Sequence, residues 1–259
     1  MDYQLDDVTE EVPADADYLF AVYQDWLRQN CPEINAPLQK ISLDSSLPEW
    51  EEAYAACFES FPFEDVGMIF GVDQKIVQSE WNMPPEYYST ATVQDFFEQL
   101  ARFITRIKIK PACVLGCPCE KAGAFLAVLK ILKSDGDDVS RISPSTPLDD
   151  YTRQHHQLFL KQVSRLAPGR LPTAEIAWPI QVQLIPFTLL GGLITAAVGA
   201  GFSSLECILG GIKMLIASIQ MGLRAKPTRV TFDGIWTFRD LAERLAAGTP
   251  AGELDPAAA

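Results

Sequence analysis

Three cysteines crowd into seven residues, Cys113-Val-Leu-Gly-Cys117-Pro-Cys119, and the only two histidines, His155 and His156, follow downstream. Thiolate and imidazole are the donors zinc prefers, so this is where a metal would be sought. Zinc sites are built from C-x(2–4)-C pairs joined by a second pair at defined spacing. Here a C-x3-C overlaps a C-x-C, and no second cysteine pair exists. Adjacent residues on a helix point about 100° apart, so the two histidines do not converge on one ion. The segment reads as a helix entry, with Pro118 at a first helical position, and no metal ligand is assigned.

Acid–base and nucleophilic chemistry find no better foothold. The carboxylate pairs Asp6-Asp7, Glu51-Glu52 and Asp149-Asp150 are sequence neighbours, which a helix separates rather than pairs. They read as solvated or helix-start charge. The chain contains no G-x-S-x-G, Walker A, G-x-G-x-x-G or H-E-x-x-H pattern, so no catalytic or cofactor-binding residue is assigned. Two hydroxyls remain, Ser45 and Ser46 in "LDSSL" at 43–47. A hydroxyl just ahead of a helix accepts from an orphan backbone N–H, which makes loop and cap their expected role.

Several helices are legible around these residues. "DADYLFAVYQDWLRQN" (15–30) places Leu19, Val22, Tyr23, Trp26 and Leu27 on one face, with Asp15 or Asp17 as cap. A helix over 48–61 opens on Pro48 and first-turn acids, and 64–77 reads as a short helix or strand. In "TATVQDFFEQLARFITRI" (90–107) Thr92 caps a stripe of Val93, Phe96, Phe97, Leu100, Phe103 and Ile104. Further helices are expected over 119–136, ended by Gly136, over 151–169, stopped by Pro168-Gly169, and over "TFRDLAERLA" near the C-terminus.

Charge and hydropathy then divide the chain. Of 259 residues 48% are hydrophobic and 21% charged, with a net charge of −13, a composition that supports packed cores. Residues 1–105 hold 21 acids against 4 bases, leaving 13 acids and 17 bases for the rest. An acidic front half repels nucleic acid and suits a basic protein partner. The residues after Met1 carry neither a basic stretch nor an apolar one, so no cleavable signal peptide is expected and the soluble parts are placed in the cytoplasm.

From Ile176 to Leu205 no residue is charged, and 207–223 is interrupted only by Lys213. About 20 apolar residues of helix span a hydrocarbon core. The outer flanks carry Arg165, Arg170, Arg224, Lys226 and Arg229, while the turn between the runs carries only Glu206. This predicts a two-helix transmembrane hairpin over 179–223, with the bilayer as partner and both termini cytoplasmic. Lys213 at mid-span would have to snorkel, pair with Glu206 or face an assembly, at a cost of about 2.5–3.5 kcal/mol.

Two pairs of segments repeat in the same order. "ISLDSSL" (41–47) matches "ISPSTPL" (142–148), and "TVQDFFEQLARFI" (92–104) matches "TFRDLAERLAAGT" (237–249). The larger spacing of the second pair is accounted for by the apolar insert. These motifs resemble acyl carrier proteins, in which a loop of the form I-T-P-D-T-S-L precedes the second helix and T-V-G-D opens the last. The chain is also similar to uncharacterised bacterial membrane proteins that embed a hairpin in such a domain. The resemblance covers roughly 18–105 and 122–249 without the insert. It implies a prosthetic-arm serine about eight residues beyond each loop, where this chain has Ala55 and His156. Neither window holds a serine, so the resemblance implies the carrier fold without the carrier chemistry.

The expected architecture is mainly all-α. An acidic tail (1–17) is followed by an acidic carrier-like bundle (18–107) and a second one split into 108–178 and 224–249. The membrane hairpin (179–223) interrupts the second bundle, and 250–259 form a disordered tail. The function that follows is a non-enzymatic, membrane-anchored interaction module. The alternatives are a working acyl carrier or accessory of lipid or polyketide synthesis, and a small membrane assembly or transport accessory, an oligomer in which Lys213 and Glu206 face each other or a lumen.

Overall fold

The structure, a computed structural model, describes residues 5, 7–30, 40–58, 62–73, 88–179 and 227–247, together with 194, 197, 209, 212, 213 and 216. By internal contacts it divides into two units. One comprises 1–148, 157–174 and 232–259, the other 149–156 and 175–231.

The first unit opens with β1 (Thr9–Pro13) and α1 (Ala16–Asn30). Asp15 caps α1 by accepting from the Tyr18 N–H at 2.8 Å. Next come α2 (Leu47–Ala55), α3 (Pro62–Phe70) and α4 (Val93–Ala101). Leu19, Val22, Tyr23 and Leu27 of α1 are buried against Trp50, Phe96, Phe97 and Leu100. This core is a stack of rings. Trp50 meets Phe96 edge-on at 5.0 Å and Tyr23 at 5.5 Å, and its indole N–H donates to the Tyr23 hydroxyl at 3.0 Å. Edge-to-face pairs of this kind add about 0.5–1.5 kcal/mol each beyond the area they bury.

The helix expected to run on to residue 107 ends at Ala101, and β2 (Thr105–Ile109) follows, pairing antiparallel with β1 from Thr9↔Ile109 to Pro13↔Thr105. Residues expected to lie in an acidic tail therefore form a strand. The chemistry of the pairing is visible in the register, which sets acids against bases. Glu10 opposes Lys108, Lys110 reaches Asp7 at 3.1 Å, and Arg106 reaches Asp15 at 3.1 Å. Such exposed pairs contribute about 0–1 kcal/mol each, but they select this register over its neighbours. A hairpin of β3 (Ala112–Val114) and β4 (Cys117–Cys119) leads into α5 (Glu120–Ser134). Its two turn residues, Leu115 and Gly116, both have positive φ, as a tight two-residue hairpin requires. Gly123 lets α5 lie directly on the chain after β2, since a Cβ there would stand 2.1 Å from the Lys110 carbonyl oxygen.

A short 3-10 turn (Val139–Arg141) precedes the loop ending at Leu148. Beyond it come α6 (Asp149–Gln154) and α7 (His156–Leu158), a π-helical turn (Phe159–Val163) and α8 (Ser164–Leu166). The single helix expected over 151–169 is thus broken, at His155 and by the wider turn. β5 (Ala174–Ala177) pairs with β6 (Arg229–Phe232), and α9 (Phe238–Ala246) packs on α5, where Phe125 meets Phe238 edge-on at 6.4 Å. Within the second unit, the buried Thr152 of α6 donates to the Val230 carbonyl of β6 at 2.7 Å.

Two expectations are corrected. The fold is mixed α and β rather than mainly all-α, with three two-stranded sheets among the described residues. Also among them, no helix is long and apolar enough to cross a membrane. The longest, α1 and α5, have 15 residues each. At 1.5 Å per residue they fall short of a hydrocarbon core about 30 Å thick. The transmembrane hairpin and the multi-pass membrane location with cytoplasmic termini are withdrawn. Most of 179–223, Glu206 and the 250–259 tail lie outside the described residues. Within that segment Ile194, Leu209, Ile212, Lys213 and Ile216 are helical and exposed.

Candidate functional site: two capped loops

The repeated motifs fold into the same hydrogen-bonded device twice. In the first copy the Ser45 N–H donates to the Ser42 carbonyl at 3.1 Å, and the Ser42 N–H donates to Ser45 Oγ at 3.1 Å, closing the turn. Ser46 then caps α2. The Glu49 N–H donates to Ser46 Oγ at 3.4 Å and the Ser46 N–H to Glu49 Oε2 at 2.9 Å, satisfying two orphan donors reciprocally. Thr92 and Asp95 do the same for α4. The Asp95 N–H donates to Thr92 Oγ1 at 3.2 Å, and the Thr92 N–H to Asp95 Oδ2 at 2.8 Å.

The loop and the last helix are stitched together by backbone. Val93 N–H donates to the Ser45 carbonyl at 2.9 Å, Gln94 N–H to Leu43 at 2.9 Å, and Leu47 N–H to Ala91 at 3.0 Å. The first three amides of α4 therefore all have acceptors. A helix start with spare amides is a ready anion site; this one has donated them to its own loop.

The second copy repeats all of these bonds except the Ser46–Glu49 pair. Thr146 N–H donates to the Ser143 carbonyl at 2.9 Å and Ser143 N–H to Thr146 Oγ1 at 2.8 Å. Phe238 N–H donates to Thr146 at 3.2 Å, Arg239 N–H to Pro144 at 2.7 Å, and Leu148 N–H to Trp236 at 2.9 Å. Asp240 N–H donates to Thr237 Oγ1 at 3.3 Å, and Asp240 Oδ2 accepts from the Thr237 N–H at 2.9 Å. The Thr237 hydroxyl also donates to Asp240 Oδ2, at 2.9 Å, and that bond, joined by the Trp236 and Thr237 amides, holds the Asp240 carboxyl below the usual carboxylate range. The copies part at one position. Pro147 stands where Ser46 caps α2, so α6 starts without that cap and has 6 residues against 9.

The other singled-out residues stay apart. Strand alternation puts Cys117 and Cys119 on one face of the hairpin and Cys113, opposite Pro118, on the other. His155 donates its backbone N–H to Tyr151, while the His156 ring lies edge-on to Trp178 at 6.1 Å. Asp6 is outside the described residues and Asp7 pairs with Lys110; Glu51 accepts from the Tyr88 hydroxyl and Asp150 pairs with Arg153 at 3.1 Å. Ala55 closes α2 and His156 opens α7, so neither carrier-serine position offers a hydroxyl.

One group of residues left little signal in the sequence. The segment "SRLAPGRLP" (164–172), read there as basic flanking charge, is gripped by α1. Arg28 donates to the Leu171 carbonyl and Gln29 Nε2 to the Pro172 carbonyl at 3.0 Å, while Ala174 N–H donates to Gln29 Oε1 at 2.9 Å. The buried Asp25 pairs with Arg28; burial, more than that partner, governs its carboxyl and raises its pKa. Tyr18 donates its hydroxyl to the Arg165 carbonyl at 3.0 Å, and burial pushes its pKa up to about 12. Arg165 lies over the Phe70 ring at 5.8 Å and donates to Ile69, at the end of α3. A cation at a helix C-terminus is a stabilising arrangement, which explains this half-buried arginine without a ligand. Side chains that grip carbonyls leave no pattern in the carbonyls' own sequence, so only a polar residue on an otherwise apolar helix face (Asp25, Gln29) hinted at it.

No family model matches the chain, and neither a curated protein nor a solved structure gives a significant match to it.

Proposed function

We propose that the chain is a non-enzymatic protein-interaction module, built from two tandem carrier-like units that bear no prosthetic arm, in which the first copy docks a basic protein partner. The observation that carries this reading is the occupation of the loop hydroxyls. Ser46 Oγ accepts a cap bond and Ser45 Oγ closes the turn, so a bulky phosphodiester on either would cost the loop its own hydrogen bonds. What the first copy does offer is charge. Asp44, Glu49, Glu52 and Glu98 are exposed, and the sequence has no Lys, Arg or His in 41–58 or 88–101. A surface of one sign raises association rates with a partner of the other sign, and the effect falls with salt.

The test is capture by the full chain from a lysate of its source, beside the variant Asp44→Asn/Glu49→Gln/Glu52→Gln/Glu98→Gln. A basic protein retained at low salt, released at high salt and lost with the variant is the expected result. Retention of the same proteins by both chains would refute the docking role.

A further inference from the structure

We draw no further inference here: the strongest candidate, the Cys117 and Cys119 thiols where the β-hairpin meets the N-terminus of α5, carries nothing because two cysteines on one strand face beside a helix start have no second feature among the described residues that points to a ligand.

Discussion

The two copies share the hydrogen bonds that tie loop to last helix and differ in almost everything else. In the first, α4 presents Phe96 and Phe97 to the core; at the matching places in the second, α9 presents Leu241 and Ala242. The first copy has no basic residue in 41–58 or 88–101, whereas the second carries Arg153, Arg239 and Arg244 where the first has Glu52, Gln94 and Gln99. The bonds between loop and last helix are nevertheless reproduced donor for donor. The part of a repeat that cannot drift is thus the part where backbone satisfies backbone. An unpaired buried amide costs the full desolvation of the group, while a core tolerates changes of ring to aliphatic chain if volume is redistributed.

Exchanging the core residues tests that contrast most severely. Phe97→Ala leaves a ring-sized void in a fully buried site, and urea unfolding should show a loss of about 3–5 kcal/mol. Its mirror, Ala242→Phe, forces a ring into a site packed for a methyl and should cost about 1–3 kcal/mol. If both changes were neutral, the two cores would not be separately fitted to their side chains.

The caps come next in size. Thr92→Ala and Thr237→Ala each remove one capping hydroxyl with the same partners, so each should cost about 1 kcal/mol. Unequal losses would show that the shared geometry is not shared energetically. Pro147→Ser should restore the missing cap of α6, with Asp150 in the place of Glu49. The expected gain is about 0.5 kcal/mol, read as slower amide exchange in 149–154.

The smallest effect is one of pH. Asp240 has a depressed pKa in the folded chain, so its contribution is present above the ordinary carboxylate value of 3.8. It is lost as pH falls through the lower folded value. An NMR titration should therefore show the Thr237 amide shifting only in strongly acid solution, and Asp240→Asn should abolish that shift. A midpoint at or above the ordinary value would contradict the bonding described.

Much of this was legible in the sequence, for reasons tied to individual residues. Thr92-x-x-Asp95 and Thr237-x-x-Asp240 announce helix starts because a hydroxyl and a carboxylate three apart satisfy each other's amides. The repeat was readable because the loop motif and the cap motif are the two halves of one hydrogen-bonded unit. The strands were not. Phe103 and Ile104 prolong the helical stripe of α4 past its true end at Ala101, and only the pairing with Thr9–Pro13 makes Thr105–Ile109 a strand. That partner lies almost a hundred residues away, in a run of acids ending in proline, and carries no strand signal of its own. The membrane reading rested on hydropathy over 176–223, whereas no helix among the described residues is long and apolar enough to cross a membrane.

Our proposal is that the two units are carrier-like and work without an arm. It is tested most directly by the intact mass of the full chain after incubation with a phosphopantetheinyl transferase and coenzyme A. An unchanged mass is the predicted result. A gain of one phosphopantetheine, mapped to the peptide holding Ser45 and Ser46, would contradict it.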